Sequence, residues 1–206
     1  MKILLLADEA DPMLWDHLDR RRLEDIDLVL SCGDLPASYL SFLTCFTAAP
    51  ILYIHGNHDD NYAKQPPEGC ICIEDTIYVH EGIRILGLGG SMRYSRGINQ
   101  YTERQMKKRV RKLWFKLWRH KGIDILLTHS PAYQLGDDPN LAHTGFAVFL
   151  DLIDKYQPRL LAHGHVHQSY HYDFNRIRHR GDTLVLNAYG SYIIDWPSLK
   201  EVKPIS

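Results

Sequence analysis

Six short, nearly unbroken apolar runs set the first constraint on this chain: Ile3 to Ala7, Leu28 to Cys32, Ile51 to Ile54, Ile83 to Leu88, Ile125 to Leu127 and Leu160 to Ala162. Each has the length of a strand. A strand with one face in water alternates apolar and polar residues. These runs do not, so they predict strands covered on both faces. Helical spacing lies between them, over Leu40 to Phe46, Thr102 to His120 and Gly145 to Tyr156. The second of these places Met106, Val110, Leu113, Trp114, Leu117 and Trp118 on one stripe. The third has to stop before Pro158, because the residue preceding a proline resists the helical region. After Gln168 the pattern changes to strands over Ser169 to Asp173, Thr183 to Asn187 and Tyr192 to Trp196, with turns at Asn175 and Gly181-Asp182. Alternating strands and helices followed by strand pairs predict an α/β layered domain with mixed sheets, one domain over residues 1–206.

Composition narrows the partners. Lys plus Arg number 24 against 25 Asp plus Glu, a formal net charge of −1. Such a balance gives no global attraction to nucleic acid or to an anionic membrane. The first apolar run is too short for a signal-peptide core, and no run approaches the ~18 residues of a membrane span. The expectation is a cytoplasmic protein with no membrane partner. Cys32, Cys45, Cys70 and Cys72 form no Cys-x-x-Cys pair, which predicts reduced, buried thiols.

The residues just past the apolar runs predict chemistry. The runs lead into Asp8, Gly33-Asp34, Gly56-Asn57-His58-Asp59, His129 and Gly164-His165-Val166-His167. Five strands thus deliver a potential metal ligand at their carboxyl ends, the edge where open α/β sheets bind ligands. Carboxylate, carboxamide and imidazole together suit Mn, Fe, Zn, Ni or Co better than Ca or a thiolate-seeking ion. Two divalent ions ~3.5–4 Å apart need a bridging carboxylate, and Asp34 is the candidate.

This ordered set resembles the calcineurin-like metallophosphoesterase superfamily, whose pattern runs Asp-x-His, Gly-Asp, Gly-Asn-His-Asp/Glu, His and Gly-His-x-His. The resemblance implies a four-layer α/β/β/α sandwich of two mixed β-sheets flanked by helices. It implies two divalent metal ions, Mn first. One would be held by Asp8, Asp34 and His167, the other by Asp34, Asn57, His129 and His165. His58 corresponds to the histidine that contacts phosphate and protonates the leaving oxygen. The reaction would be hydrolysis of a phosphate ester by in-line attack of a metal-bound hydroxide. A small phosphodiester is the preferred substrate class, because the chain has no long insertion to form a protein-substrate groove.

One motif departs from the pattern. Where Asp-x-His is expected, the chain reads Asp8-Glu9-Ala10. The first metal site therefore lacks an imidazole. Glu9, Asp11 or water would have to complete it, and the site is expected to be weak if none does. Asp59 is expected to orient its neighbours rather than bind metal. His143 and Arg93 lie in loops that should rim the pocket, as candidate phosphate contacts. His55 and His163 are expected to be hydrogen-bonded within strand ends. Residues 104–121 interleave basic residues with Trp114 and Trp118. The tryptophans are expected on the buried stripe, which leaves a solvated basic face and makes nucleic acid a lesser expectation. Two alternatives stay open: a nuclease of the same fold, and a scaffold that has lost catalysis through Ala10.

Overall fold

A computed structural model describes residues 1–138, 140–167 and 175–196. The elements run β1 (Lys2–Ala7), β2 (Leu28–Ser31), α1 (Ala37–Leu43), β3 (Ile51–Tyr53), β4 (Ile71–Cys72), β5 (Thr76–His80), β6 (Ile83–Leu88), β7 (Ser91–Met92), β8 (Gln100–Tyr101), α2 (Glu103–Lys112), α3 (Trp114–Arg119), β9 (Ile125–Thr128), α4 (Ala147–Tyr156), β10 (Leu160–His163), β11 (Ile177–Arg180), β12 (Thr183–Asn187) and β13 (Gly190–Asp195). Each of the six apolar runs is a strand. They build a five-stranded sheet, β13-β1-β2-β3-β4, and a six-stranded sheet, β11-β12-β10-β9-β6-β5. Both are mixed: β1 through β4 are parallel while β13 runs against β1, and β12, β10, β9 and β6 are parallel while β11 and β5 run against their neighbours.

Side-chain alternation shows why the runs carry no polar face. In β1, Ile3, Leu5 and Ala7 pack with Ile85, Leu127 and Ala162 of the other sheet. Leu4 and Leu6 point the other way, onto Leu14, Leu40 and Leu43. In the second sheet, Leu86, Leu126 and Leu161 turn outward to Met106, Leu117, Phe149 and Leu152 on α2, α3 and α4. Three apolar layers therefore separate helix, sheet, sheet and helix, as the sequence predicts. Among the described residues no helix is long and apolar enough to cross a membrane.

Several details differ from expectation. The helix over 102–120 is two helices that meet at Leu113, and Thr102 opens the first with a capping box to Gln105. Met106, Leu113 and Leu117 are buried, but Trp114 and Trp118 are 66% and 70% exposed. Each tryptophan follows a buried leucine by one residue, about 100° further round the helix, and so crosses from the core face to solvent. Helix α1 starts three residues before the predicted Leu40. The strand expected at 169–173 lies outside the described residues. All four cysteines are free, but only Cys32 is buried, because Cys45 and Cys72 sit on surface segments.

Candidate metal centre

The parallel strands of both sheets end at one edge, and the side chains just beyond them meet there. Three of those residues hold a left-handed backbone that is costly for any residue but glycine: Asp8 (φ 65°), Asp34 (φ 57°) and His165 (φ 69°). Strain of this kind persists where the surroundings fix it, and here it aims each side chain off its strand end into the gap between the sheets. Gly56 explains how closely the turn before Asn57 approaches the turn at Asp34. A Cβ there would overlap the Asp34 carboxylate.

The best-formed cluster contains Asp34, His129 and His165, whose ligand atoms lie within 4.8 Å of one another. His129 is fully buried. Its Nδ1–H donates to the Cys32 carbonyl at 2.8 Å, which turns Nε2 toward the cluster. That Nε2 stands 2.9 Å from Asn57 Oδ1 and 3.3 Å from Asp34 Oδ2. Asn57 is turned this way because its Nδ2 donates to Tyr94 Oη at 3.1 Å. His165 Nε2–H donates to the Ala142 carbonyl at 2.7 Å, which leaves Nδ1 free to accept. Once Nε2 of His129 gives up its proton, four lone-pair donors converge here. Electrostatics point the same way. Burial opposes a charge on His129, yet Asp34 outweighs it and raises the imidazole to about 9. Burial likewise works against the Asp34 carboxylate, but His129 holds its pKa well below the usual range. The pocket demands a cation, and a divalent metal fits this donor set.

The second group is looser. Asp8 accepts the His165 backbone N–H on both carboxylate oxygens, at 3.0 and 2.9 Å, and His167 Nε2 lies 3.8 Å from Asp8 Oδ1. Burial pushes the Asp8 carboxyl up to about 7. Ala10 packs, partly buried, against the apolar layer under the first sheet. Asp11 is committed elsewhere: it caps the turn at Met13 and pairs with Arg22 at 3.0 Å. Glu9 alone of the two stays near, accepting from Tyr189 Oη at 2.6 Å, with the Tyr189 ring 5.0 Å from that of His167.

Around these groups lies a supporting shell. Asp59 Oδ2 accepts the backbone N–H groups of Asp34 and Gly56 at 2.8 and 2.7 Å, the orienting role expected for it. Glu74, which no motif flagged, accepts from the His55 and Gly89 backbones and from Arg109. It ties the ends of β3 and β6 together. His58 is exposed and, with Asp8, Asp34 and Tyr62, lines a cleft of about 480 Å³. The His143 ring lies 5.0 Å from that of His165, tilted by 52°, at the rim. Arg93 is not directed there. Its guanidinium turns back onto the Gln100 carbonyl at 3.2 Å, and the neighbouring Tyr94 makes the contact to the site. Tyr94 carries no motif, so only its place in the loop after β6 could have suggested it.

The calcineurin-like phosphoesterase family model matches residues 3–169. The chain belongs to the calcineurin-like phosphoesterase family. Membership in that family implies phosphoester hydrolysis assisted by divalent metal ions. None of the curated proteins matches the chain in sequence. Among solved structures, one crystal structure aligns with 99% of this chain and 97% of its own at 13% identity and a TM-score of 0.69. TT1561 of Thermus thermophilus aligns with 92% of this chain and 89% of its own at 16% identity and a TM-score of 0.62. At such identities these likenesses speak to the fold, and the fold they share is that of the calcineurin-like phosphoesterases.

His163, two residues before His165, carries a pH-dependent prediction. Burial holds its imidazole down, at about 4. Between that value and the ~6.5 of an unfolded histidine, only the unfolded chain takes up the proton. The stability from a neutral His163 is therefore complete above pH ~6.5 and is lost as pH falls toward 4. Going from pH 7 to pH 5 should cost about 2 kcal/mol through this residue. Asp8 acts in the opposite sense over part of that range, because its raised pKa lets the folded state keep a proton. The difference between wild type and His163→Asn isolates the histidine. In urea unfolding of chelator-treated protein, the variant should lose about 2 kcal/mol less than wild type over this pH interval, and equal losses would refute the assignment.

Proposed function

We propose that the chain hydrolyses a small phosphodiester at the edge where the two sheets end. The observation that carries the reading is the convergence of Asp34, Asn57, His129 and His165 lone pairs beside a cleft that also receives His58. Asp34, Asn57, His129 and His165 would hold one divalent ion, and Asp8, Asp34 and His167 a second and weaker one, with Glu9 as the nearest further carboxylate. Manganese is compatible with this mixed oxygen and nitrogen set. Bound ions of this kind supply positive charge for phosphate oxygens and a water acidic enough to serve as nucleophile near neutral pH.

The chain's own residues do the rest. Asp34 would serve both ions, and its Oδ1 accepts the His58 backbone N–H at 2.7 Å, which fixes His58 at the mouth. From there the His58 imidazole can reach a phosphate oxygen and give a proton to the departing alkoxide. His143 and Tyr94 border the opening and would orient the ester. The apolar wall of Leu35, Pro36 and Tyr62 favours a compact organic group on the leaving side.

The test is turnover of bis-p-nitrophenyl phosphate and of p-nitrophenyl phosphate by chelator-treated protein reconstituted with Mn. Faster hydrolysis of the diester, dependent on the added metal, is the expected result. Turnover of the monoester alone would overturn the diester reading. Inertness toward both, despite bound metal, would overturn the catalytic one and leave the scaffold reading.

A further inference from the structure

The outward face of α2 and α3 has no role in the phosphoesterase reading, and its surface is unusual. Residues 104–121 contain nine of the chain's 24 Lys and Arg and none of its 25 Asp and Glu. Some of that charge is spent internally. Arg109 pairs with Glu74 and Asp75, Lys116 Nζ donates to the Asp75 carbonyl, and Lys107 lies 3.6 Å from Glu103. Arg104, Lys108, Arg111, Lys112, Arg119 and Lys121 are exposed, and among the described residues no carboxylate pairs with them. Beside them stand Trp114, Phe115 and Trp118, 66%, 51% and 70% exposed. Lys107, Arg111, Trp114, Phe115 and Trp118 are spaced as i, i+4, i+7, i+8 and i+11, one stripe along the helical path. A groove of about 370 Å³ between this path and α4 adds to the surface, floored by Leu117 and Leu152 and rimmed by Lys107, Arg111, Lys155 and Asp151.

We propose that this stripe docks the protein onto an anionic lipid bilayer, with α2 and α3 lying in the plane of the interface. Two observations select that occupant. First, the charge is complementary to an anionic surface while the rest of the chain carries the acidic excess, so attraction is local and oriented. Second, indole and phenyl rings set among lysine and arginine are the side chains that reside at the boundary between headgroups and acyl chains. The rings suit single-stranded nucleic acid less well. They pack on one another, with centroids 5.8 Å apart and planes 73° and 30° from parallel, instead of offering separated faces for successive bases. The expectation of no membrane contact rested on net charge and on the lack of a spanning segment, and neither bears on a peripheral patch.

The test is sedimentation of the full chain with vesicles of phosphatidylcholine alone or mixed with phosphatidylserine, read together with tryptophan emission. Binding is expected only with phosphatidylserine, with a blue shift and with loss at high salt. Trp114→Ser with Trp118→Ser should abolish the shift and weaken partitioning about tenfold per ring. Arg111→Glu with Lys112→Glu should weaken it by at least about fivefold per residue. All four positions are exposed, so unchanged circular dichroism should accompany the losses. No sedimentation with phosphatidylserine, or equal sedimentation with phosphatidylcholine alone, would overturn the proposal. So would retention of single-stranded RNA, abolished by the same variants, in a protein that ignores vesicles.

Discussion

Replacing His58 by alanine is expected to lower kcat for a diester with an alkyl leaving group by ~10²–10⁴-fold while leaving metal affinity within a few-fold of wild type. The imidazole is at the mouth of the cleft and exposed, and the interaction that ties this residue to Asp34 comes from its backbone N–H, which alanine retains. Geometry around the ligands should therefore survive. Only the proton source is removed, so the loss should shrink for an ester whose leaving group is acidic enough to depart unprotonated. Comparing p-nitrophenyl with alkyl leaving groups measures this. A uniform loss across both would show that His58 binds phosphate without transferring a proton, and no loss at all would remove it from the chemistry.

The second large effect is expected at Gly56. Its backbone is not left-handed, so alanine is intrinsically tolerated there. What forbids the methyl is its surroundings: it would occupy the space of Asp34 Oδ1 and Cγ. Gly56→Ala should cost about 1–3 kcal/mol through overpacking and, by displacing Asp34, reduce metal affinity by two orders of magnitude or more, by analogy with the roughly 10–100-fold typical of a lost supporting contact. Gly82→Ala is the control. A Cβ there meets nothing within 4 Å, although its φ of 82° carries a backbone cost. Calorimetric titration with Mn and thermal unfolding distinguish the two. Gly82→Ala should lower the melting temperature without touching the titration, whereas Gly56→Ala should change both. Intact metal binding in Gly56→Ala would refute the crowding argument.

The strands were legible because burial on both faces leaves an unmistakable apolar run, and the sheet edge was legible because chain polarity sends every parallel strand end the same way. By that logic the order of residues alone brings Asp34, Asn57 and His129 to one place. It fails where a contact is set by tertiary geometry with no local pattern. Glu74 reads as one more acid after a strand, yet it accepts from two strand ends and an arginine. Tyr94 and Tyr189 read as loop aromatics, yet they contact Asn57 and Glu9. The tryptophans of α3 show a different failure. A hydrophobicity count cannot separate a ring at the edge of a helical stripe from one just beyond it, and one residue of rotation turns a core position into a surface one. Ala10, where the motif would place an imidazole, packs partly buried against the layer beneath the first sheet.

The way β1 is paired has a consequence for how the molecule assembles. The first described strand, β1, is held on one side by β2, but on the other by β13, the last described strand, in a six-residue antiparallel register from Lys2 with Asp195 to Ala7 with Gly190. Asp8, immediately after β1, is in turn fastened by the backbone of His165, 157 residues away along the chain. Contacts of such sequence separation slow folding, since a long loop must close before any of them forms. On a ribosome, β1 must wait with one open edge until β13 has emerged. The carboxylate of Asp8 is thus set in place late, and a nascent chain halted before β13 would be prone to association through that waiting edge.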